Sequence, residues 1–280
     1  MTASKASGDG EFPDLRIVAT NDLLLHEEVD VERVARLIDR LSGDGVLKNP
    51  PIVASLDDSP RFLLLDGANR VSALENLEVP HLLVQVVAYS DPNLVLSHWN
   101  HVVRDIECAS FVERAQSITG LRVSRGRFVG GGDSLCTIAF GEDDALHLHL
   151  AGEASLVDRV HYLSELTRLY YRGPARMDRV NHADFAALRQ HYPHFGAVFV
   201  FPSFSKADVR AIAETGVRLP SGLTRILVPR RVLGFNVQLA VLKSHLPLEE
   251  KRLWLEETIA QRFAQKKVRY YQEPVFIFDE

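Results

Sequence analysis

The sequence predicts an α/β fold in its first part, packed on a second, mixed α+β part. In the first part, short apolar runs alternate with segments of helical spacing, as expected for strands that alternate with helices. After about residue 105 the alternation is less regular, and no flexible linker marks the change. We therefore expect two packed regions, 15–104 and 105–280, behind a disordered tail at 1–14.

The elements of the first region follow from spacing and turn residues. Residues 16–19 and 52–54 are short strands, and 62–65 forms a hairpin with the latter. A helix capped by Asp30 and ended by glycines carries one apolar stripe, formed by Val34, Leu37, Ile38 and Leu41. A second helix follows Asp66-Gly67. The nearly continuous apolar run 82–88 predicts a strand covered on both faces.

The second region gives fewer clear signals. The stretch RFVGGGDSLCTIAF predicts two strands around a glycine-rich turn. Ser155 with Asp158, and Ser205 with Asp208, resemble capping boxes for helices over 156–171 and 206–215. Further strands are expected at 197–201 and 275–278. A long helix over 248–266 starts acidic and ends basic, which suits the helix dipole.

Composition argues against several classes of protein. The net charge is −5 without a basic stripe, which argues against a nucleic-acid-binding protein. No apolar run reaches the roughly 18 residues of a membrane span, and the first residues lack the apolar core of a signal peptide. Two cysteines, Cys108 and Cys136, fit a reducing compartment. We expect a cytoplasmic protein, and the sequence carries no signature of oligomeric state.

The stretch LLLDGANR, residues 63–70, is the first candidate for chemistry. A strand that turns into a helix through Asp-Gly leaves N–H groups at the helix start, and these attract phosphate. Gly67 permits close approach of a ligand, Arg70 can bind an anion, and Asp66 can hold Mg²⁺ beside phosphate oxygens. A plain helix cap followed by a surface arginine would give the same short pattern.

Three other stretches carry candidate residues with equally plain alternatives. In LHEE, Glu27 is either a general base or one of the acidic residues that stabilise a helix start. In SHWNHV, Trp99 with His101 is either a stacking wall for a small ligand or part of the core. In LPSGLTR, Thr224 and Arg225 either hold a carboxylate or phosphate or belong to a turn and edge strand. A histidine pair at 147 and 149 is too small for a metal site.

In this order, the stretches resemble the free L-serine kinases of the ParB-like/sulfiredoxin-like superfamily. That family includes archaeal ADP-dependent enzymes and an enzyme of the staphyloferrin B siderophore pathway. The resemblance runs from about Leu15 to the C-terminus. It rests on LHE, NPPIV, DGANR and W-x-H in the first half, and on LPSGLTR and LAVLK in the second.

The resemblance implies a fold, a reaction and residue roles. It implies a ParB/sulfiredoxin-like nucleotide-binding domain at 15–104 and a C-terminal domain at 105–280 that completes the serine site. With Mg²⁺, ATP or ADP would phosphorylate the hydroxyl of L-serine. Glu27 resembles the catalytic base, and Asp66 a second essential carboxylate near metal and phosphate. The nucleotide-binding positions would be Gly67, Ala68, Asn69, Arg70 and Ser72, and the serine pocket Trp99, His101, Thr224 and Arg225.

One departure and several rivals bear on this interpretation. Asn69 stands where relatives commonly have histidine, and an amide carries no charge; His26 or His101 would be the nearest replacements. A sulfiredoxin needs a cysteine where Ala68 stands. A partitioning ParB protein needs an arginine-rich loop and a helix-turn-helix, and neither is evident. Another small-molecule kinase, a nucleotide hydrolase, a nuclease or a nucleotide-binding regulatory protein stays open.

Overall fold

The computed structural model describes residues 12–106, 108–130, 134–171 and 176–271. Within these ranges the strands are β1 Asp14–Ala19, β2 Leu23–Leu24, β3 Val46–Leu47, β4 Ile52–Leu56, β5 Ser59–Asp66, β6 His81–Ala88, β7 Val95–His98, β8 Asn100–Arg104, β9 Leu121–Gly126, β10 Cys136–Ala139, β11 Ala145–Leu150, β12 Arg176–Val180, β13 Phe195–Val200, β14 Thr224–Leu227 and β15 Val237–Gln238. The helices are α1 Val31–Asp44, α2 Ala68–Asn76, α3 Cys108–Gln116, α4 Leu156–Tyr171, α5 Phe185–His191, α6 Lys206–Thr215, α7 Leu239–Lys243 and α8 Leu248–Ala264.

The first sheet has five strands in the order β1-β6-β4-β5-β2. The β4–β5 hairpin is antiparallel as predicted, whereas β2 runs parallel to β5 and β4 runs parallel to β6. Helix α1 begins at Asp30, whose side chain accepts the N–H of Arg33, and ends at Gly45 in a left-handed conformation. The sequence thus predicted four of the five strands, whose signals are local, but it predicted neither β2 nor the parallel pairings.

Both faces of the first sheet are buried, and each faces a different core. Alternate residues of β5 point to opposite sides. Leu64 packs with helices α1, α2, α7 and α8, while Leu63 and Leu65 pack into the core shared with the second region. Strand β6 is buried over most of its length, as its continuous apolar sequence predicts. The two regions therefore form one packed body.

The second sheet is antiparallel and has six strands in the order β12-β8-β13-β10-β11-β9. Strand β8 already belongs to it, so the chain enters the second sheet before the boundary expected near Asp105. Of the two strands predicted around the glycine-rich turn, the second is present as β10, between β11 and β13, whereas residues 127–130 form no strand and β9 ends before them at Gly126. Glycines mark a turn, but they do not select the partner strand.

Residues after β14 return to the first region. Phe235, Val237 and Leu255 lie in the same core as Leu64 and Val71, and α8 packs on β1. At the other end, Phe12 packs edge-on against Phe263 with ring centroids 5.1 Å apart, and β1 starts at Asp14. Residues 12–14 of the predicted tail are therefore ordered.

Two further predictions can be placed at this point. The strand predicted at 275–278 lies outside the described residues, as do residues 1–11 of the tail. Among the helices within the described ranges, none has the length and apolar composition needed to cross a membrane.

Candidate functional site

The candidate site lies where strands β2 and β5 end side by side. Leu23 pairs with Phe62 and Leu24 with Leu63, in parallel register. Continued along both strands, this register brings Glu27 level with Asp66. On its other side the chain at Glu27 forms a parallel bridge with Leu219, and the N–H of Glu28 donates to the Leu219 carbonyl at 2.7 Å. The LPSGLTR stretch is thereby fixed against the sheet end.

The Glu27 carboxylate is held by neutral donors from this stretch. Oε1 accepts the backbone N–H and the hydroxyl of Thr224, each at 2.6 Å, and Oε2 accepts the N–H of Gly222 at 3.0 Å. A carboxylate has about four acceptor positions. Among the residues that the structure describes, these donors take three of them. One position on Oε2 is left for a ligand.

His26 lies beneath Glu27 and is buried. Its Nδ1 is 2.9 Å from the carbonyl oxygen of Leu64, and its Nε2 is 2.8 Å from the hydroxyl oxygen of Thr224. Burial lowers the pKa of His26 below its ordinary value of 6.5, against the opposing effects of the Glu27 charge and the Leu64 carbonyl. Burial thus disfavours the charged form that His26 would need in order to act on phosphate in place of the histidine that Asn69 replaces.

Asp66 is surrounded by cations instead. Its Oδ2 is 3.3 Å from Nη2 of Arg70 and also accepts from Nη1 of Arg231. Burial raises the pKa of Asp66, but Arg70 and Arg231 outweigh it, so that the pKa lies below the ordinary 3.8. Arg231 is 165 residues away in sequence and was missed by the sequence analysis. The basic pair at 230–231 was its one signal.

Helix α2 begins directly after Asp66. Its N-cap Gly67 has φ +101°, and a Cβ there would lie 2.9 Å from Nη2 of Arg70. No side chain caps the helix, so its first N–H groups, at Ala68 and the residues after it, are directed toward any ligand at this end. Ser72 lies one turn later and is half-buried. An uncapped helix start of this kind is what the phosphate-loop hypothesis requires.

Two side chains of this loop form hydrogen bonds within the protein. Nη1 of Arg70 donates to the carbonyls of Asn49 and Pro50, at 2.7 and 3.3 Å. Oδ1 of Asn69 accepts the N–H of Asp30 at 2.9 Å and so ties the starts of α1 and α2 together. Arg70 therefore holds the NPP turn beside Asp66, and Asn69 has a structural bond of its own.

Trp99 and Arg225 form a stacked pair next to Thr224, the residue that donates to Glu27. The guanidinium of Arg225 lies over the Trp99 ring, 4.7 Å from its centroid. The antiparallel pair of β7 and β14 sets this contact, and the N–H of Trp99 donates to the carbonyl of Leu223 at 2.9 Å. Thr224, one residue before Arg225, donates to Glu27. The structure thus brings together Glu27 and three of the four predicted pocket residues.

His101 is the exception among the predicted pocket residues. It is fully buried, with Nδ1 2.6 Å from the Tyr170 hydroxyl and Nε2 3.0 Å from the Gly222 carbonyl. Burial lowers the pKa of His101 to about 4, so the ring is neutral near pH 7. It supports the turn from within and cannot reach a ligand directly, because β8 carries it into the core. It also cannot supply charge in place of Asn69.

The turn at 220–222 is braced from the outside as well. The Tyr171 hydroxyl donates to the Ser221 carbonyl at 2.8 Å, and Nη2 of Arg179 donates to the Ser221 hydroxyl at 3.3 Å. Gly222 has φ +78°, and a Cβ there would meet the Arg179 guanidinium. Arg179 is a second residue that the sequence did not single out.

The described residues contain no cluster of three or more histidine, cysteine or acidic groups suited to a metal ion. His147 bonds Thr137 and the Arg127 carbonyl instead. Asp66 is one carboxylate beside a helix start, which fits Mg²⁺ only when phosphate oxygens and water supply most of the ligands. The donor set thus suits a metal that arrives with a nucleotide.

No model of a known protein family matches the chain. It is 22% identical over 268 residues to the ATP-dependent L-serine kinase SbnI of Staphylococcus aureus, over 95% of this chain and 97% of that protein. A solved structure of SbnI with a C-terminal truncation superposes with a TM-score of 0.72 at 21% identity, covering 89% of this chain and 97% of that one.

A free serine kinase solved in complex with AMP is also similar. It superposes with a TM-score of 0.68 at 15% identity, covering 85% of this chain and 98% of that one. The shared fold therefore extends over both sheets and the junction between them.

Proposed function

We propose that this protein is a free L-serine kinase that transfers a phosphoryl group from ATP to the serine hydroxyl and forms O-phospho-L-serine. The observation that carries the proposal is the open acceptor position on Oε2 of Glu27, beside the stacked pair of Trp99 and Arg225. The full-length similarity to an ATP-dependent L-serine kinase supports the substrate and the donor.

Glu27 is the proposed base. Its three donors fix the carboxylate in one orientation, so that no reorganisation is needed when a hydroxyl approaches Oε2. A positioned carboxylate contributes about 10²- to 10⁴-fold in such reactions. The serine proton passes to Oε2 as the serine oxygen bonds to phosphorus. The bond from phosphorus to the nucleotide breaks, and its electron pair leaves with the nucleotide.

Arg225 and Trp99 are the proposed serine pocket. The guanidinium is a fork of donors that matches a carboxylate, and the indole ring holds it in a fixed plane. Serine bound by its carboxylate to Arg225 presents its hydroxyl on the side of Glu27, because Thr224 joins both residues. We also assign Thr224 to this pocket, through its backbone and its bond to Glu27.

The end of the sheet at Asp66 is the proposed nucleotide site. The start of α2, from Gly67 to Asn69, offers N–H donors for phosphate, and Ser72 lies on the same helix. Arg70 and Arg231 give the region positive charge beyond the single charge of Asp66. When Mg²⁺ is bound with the nucleotide it neutralises phosphate charge, and Asp66 would be its protein ligand.

Each end of the site takes side chains from both regions of the chain, because Arg231 lies at the nucleotide end and Trp99 at the serine end. We propose that the first region is a ParB/sulfiredoxin-like nucleotide-binding unit and that the second supplies Thr224 and Arg225 to complete the serine site. The product suits a later step that displaces phosphate from the serine Cβ, as in siderophore or cysteine-related synthesis. We further propose that the protein acts in the cytoplasm without nucleic-acid or membrane partners.

The test is direct product detection. Purified protein is incubated with Mg²⁺ and L-serine, with ATP and with ADP in parallel, and O-phosphoserine is sought by mass spectrometry. Product with ATP is expected, and product with ADP alone would reassign the donor. Nucleotide binding without phosphoserine would assign another acceptor, or hydrolysis. Failure to bind nucleotide at all would favour a regulatory protein that retains the fold.

A further inference from the structure

His26 makes contacts that a neutral imidazole and an ionised Glu27 cannot satisfy together. The carbonyl oxygen of Leu64 can only accept, so Nδ1 carries the ring proton and Nε2 is an acceptor. The Thr224 oxygen lies 2.8 Å from Nε2 and 2.6 Å from Oε1 of Glu27. Its one hydrogen can be donated to only one of them.

His101, which is also buried, shows the satisfied case. Its Nε2 donates to the Gly222 carbonyl, and its Nδ1 accepts from the Tyr170 hydroxyl, so a neutral ring completes both bonds. The series of contacts from Leu64 through His26 and Thr224 to Glu27 lacks one hydrogen as long as Glu27 is ionised. Both Nε2 of His26 and Oε1 of Glu27 then need the hydrogen of the Thr224 hydroxyl. The series becomes complete when Glu27 gains a proton.

We propose that the Thr224 hydroxyl is a two-position donor, directed to Glu27 before proton transfer and to Nε2 of His26 after it. The inference rests on the proposed function, in which Glu27 takes the serine proton. His26 is then a positioning residue that acts through Thr224. The balance is simple: one proton passes from serine to Oε2 of Glu27, and the Thr224 O–H bond turns without breaking.

The direction follows from the strength of the two acceptors. An ionised carboxylate attracts the hydroxyl hydrogen more strongly than a neutral imidazole does. In that state the lone pairs of the Thr224 oxygen and of Nε2 face each other at 2.8 Å. Once Oε2 is protonated, Oε1 is a neutral oxygen, and the hydrogen turns to Nε2. Proton transfer therefore removes an unfavourable contact, and the Thr224 hydroxyl exchanges its hydrogen bond to Glu27 for one to His26.

His26 must be neutral for this to occur. Its pKa is lowered by burial, and the charge that acts on it from the described residues is that of Glu27, beside the Leu64 carbonyl and the Thr224 hydroxyl. Above that lowered pKa, Nε2 is free to accept. Below it, Nε2 carries a proton and the second position of Thr224 is blocked.

Two variants of His26 separate its role as a hydrogen-bond acceptor from its role in packing. His26→Leu removes the acceptor, whereas His26→Gln can donate to Leu64 and accept from Thr224 without titrating. We expect His26→Leu to lower kcat about tenfold, the effect of one hydrogen bond, with little change in the KM for serine. In His26→Leu the part of the acid limb of kcat/KM that His26 protonation causes should disappear, and His26→Gln, which accepts but does not titrate, should restore kcat without restoring that limb. A His26→Leu profile identical to wild type would overturn the inference.

Imidazole ¹⁵N NMR gives a readout that needs neither activity nor a folded leucine variant. In the wild type we expect Nδ1 protonated and Nε2 unprotonated near neutral pH. In Glu27→Gln, whose neutral amide mimics the protonated acid, the Nε2 resonance should shift to that of a hydrogen-bonded acceptor. A proton on Nε2 in place of Nδ1, or no shift, overturns the inference. A wild type without phosphoserine product would refute the proposed function alone.

Discussion

Glu27 and Asp66 leave the same end of one sheet, yet opposite kinds of donor hold them. Glu27 accepts two backbone N–H groups and a hydroxyl, all neutral. Asp66 accepts from the guanidinium groups of Arg70 and Arg231. Neutral donors fix the orientation of the Glu27 carboxylate without cancelling its charge. Two cations more than cancel the charge of Asp66. The contrast is consistent with the proposed division between proton uptake at Glu27 and phosphate binding near Asp66.

Glu27→Gln should give the largest effect, because it removes the charge that neutral donors leave intact. We expect phosphoserine formation to fall by at least about 10²-fold, with nucleotide affinity within about twofold of wild type, since Asp66 and α2 are untouched. Glu28→Gln is the matched control: its side chain makes a loose ion pair with Arg168 at 3.6 Å. An active Glu27→Gln enzyme would refute the role of Glu27 as base.

Arg225→Ala tests the serine side alone. Loss of a charged, forked donor should weaken serine binding by about 10- to 100-fold, from the strength of hydrogen bonds to charged groups. Nucleotide affinity should remain within about twofold, because Arg225 stacks on Trp99, whereas the ion-pair partners of Asp66 are Arg70 and Arg231. Calorimetry on both ligands measures the difference, with Arg114→Ala on the exposed face of α3 as control. Unchanged serine affinity would contradict the assignment.

Gly222→Ala tests whether serine binding depends on the shape of the turn at 220–222. Gly222 and Gly216 have nearly the same φ, +78° and +76°, but an added Cβ meets Arg179 at Gly222 and nothing within 4 Å at Gly216. Both alanine variants should lose about 1 kcal/mol of stability through the left-handed backbone. The Gly222 variant alone should also raise the KM for serine, by about five- to tenfold as for one weakened hydrogen bond. Equal KM values would show that the turn tolerates the shift.

Arg231→Ala should give the smallest effect at neutral pH and a clear one in acid. Burial raises the pKa of Asp66 and the two arginines lower it, so removal of Arg231 raises that pKa. A lowered carboxyl pKa stabilises the fold above its unfolded value, and this contribution is lost as pH falls through the folded pKa.

The midpoint of acid unfolding, followed by circular dichroism, should therefore move to higher pH in Arg231→Ala. Near pH 7 the stability should change little, because the pair is about 40% exposed. Nucleotide affinity should fall about fivefold, as for one exposed charged contact. An unchanged acid midpoint would show that Arg70 alone sets the state of Asp66.

The sequence predicted what is local and missed what is distant. The capping box at Ser205 and Asp208, the helix after Gly67 and the β4–β5 hairpin depend on residues a few positions apart, and the structure contains each of them. Thr224 reaches Glu27 across 197 positions and Arg231 reaches Asp66 across 165. No periodicity encodes such contacts; the family resemblance suggested Thr224, and the one signal for Arg231 was the basic pair at 230–231.

The return of the chain after β14 has a consequence for synthesis. The core of the first sheet includes Phe235, Val237 and Leu255, which leave the ribosome long after β1 to β6. Until those residues are synthesised, the first sheet lacks the side chains that complete its core, and it exposes apolar surface. The first region is therefore not an early-folding module. Its completion is a late event of translation, and chains that end before α8 should be targets for chaperones and proteases.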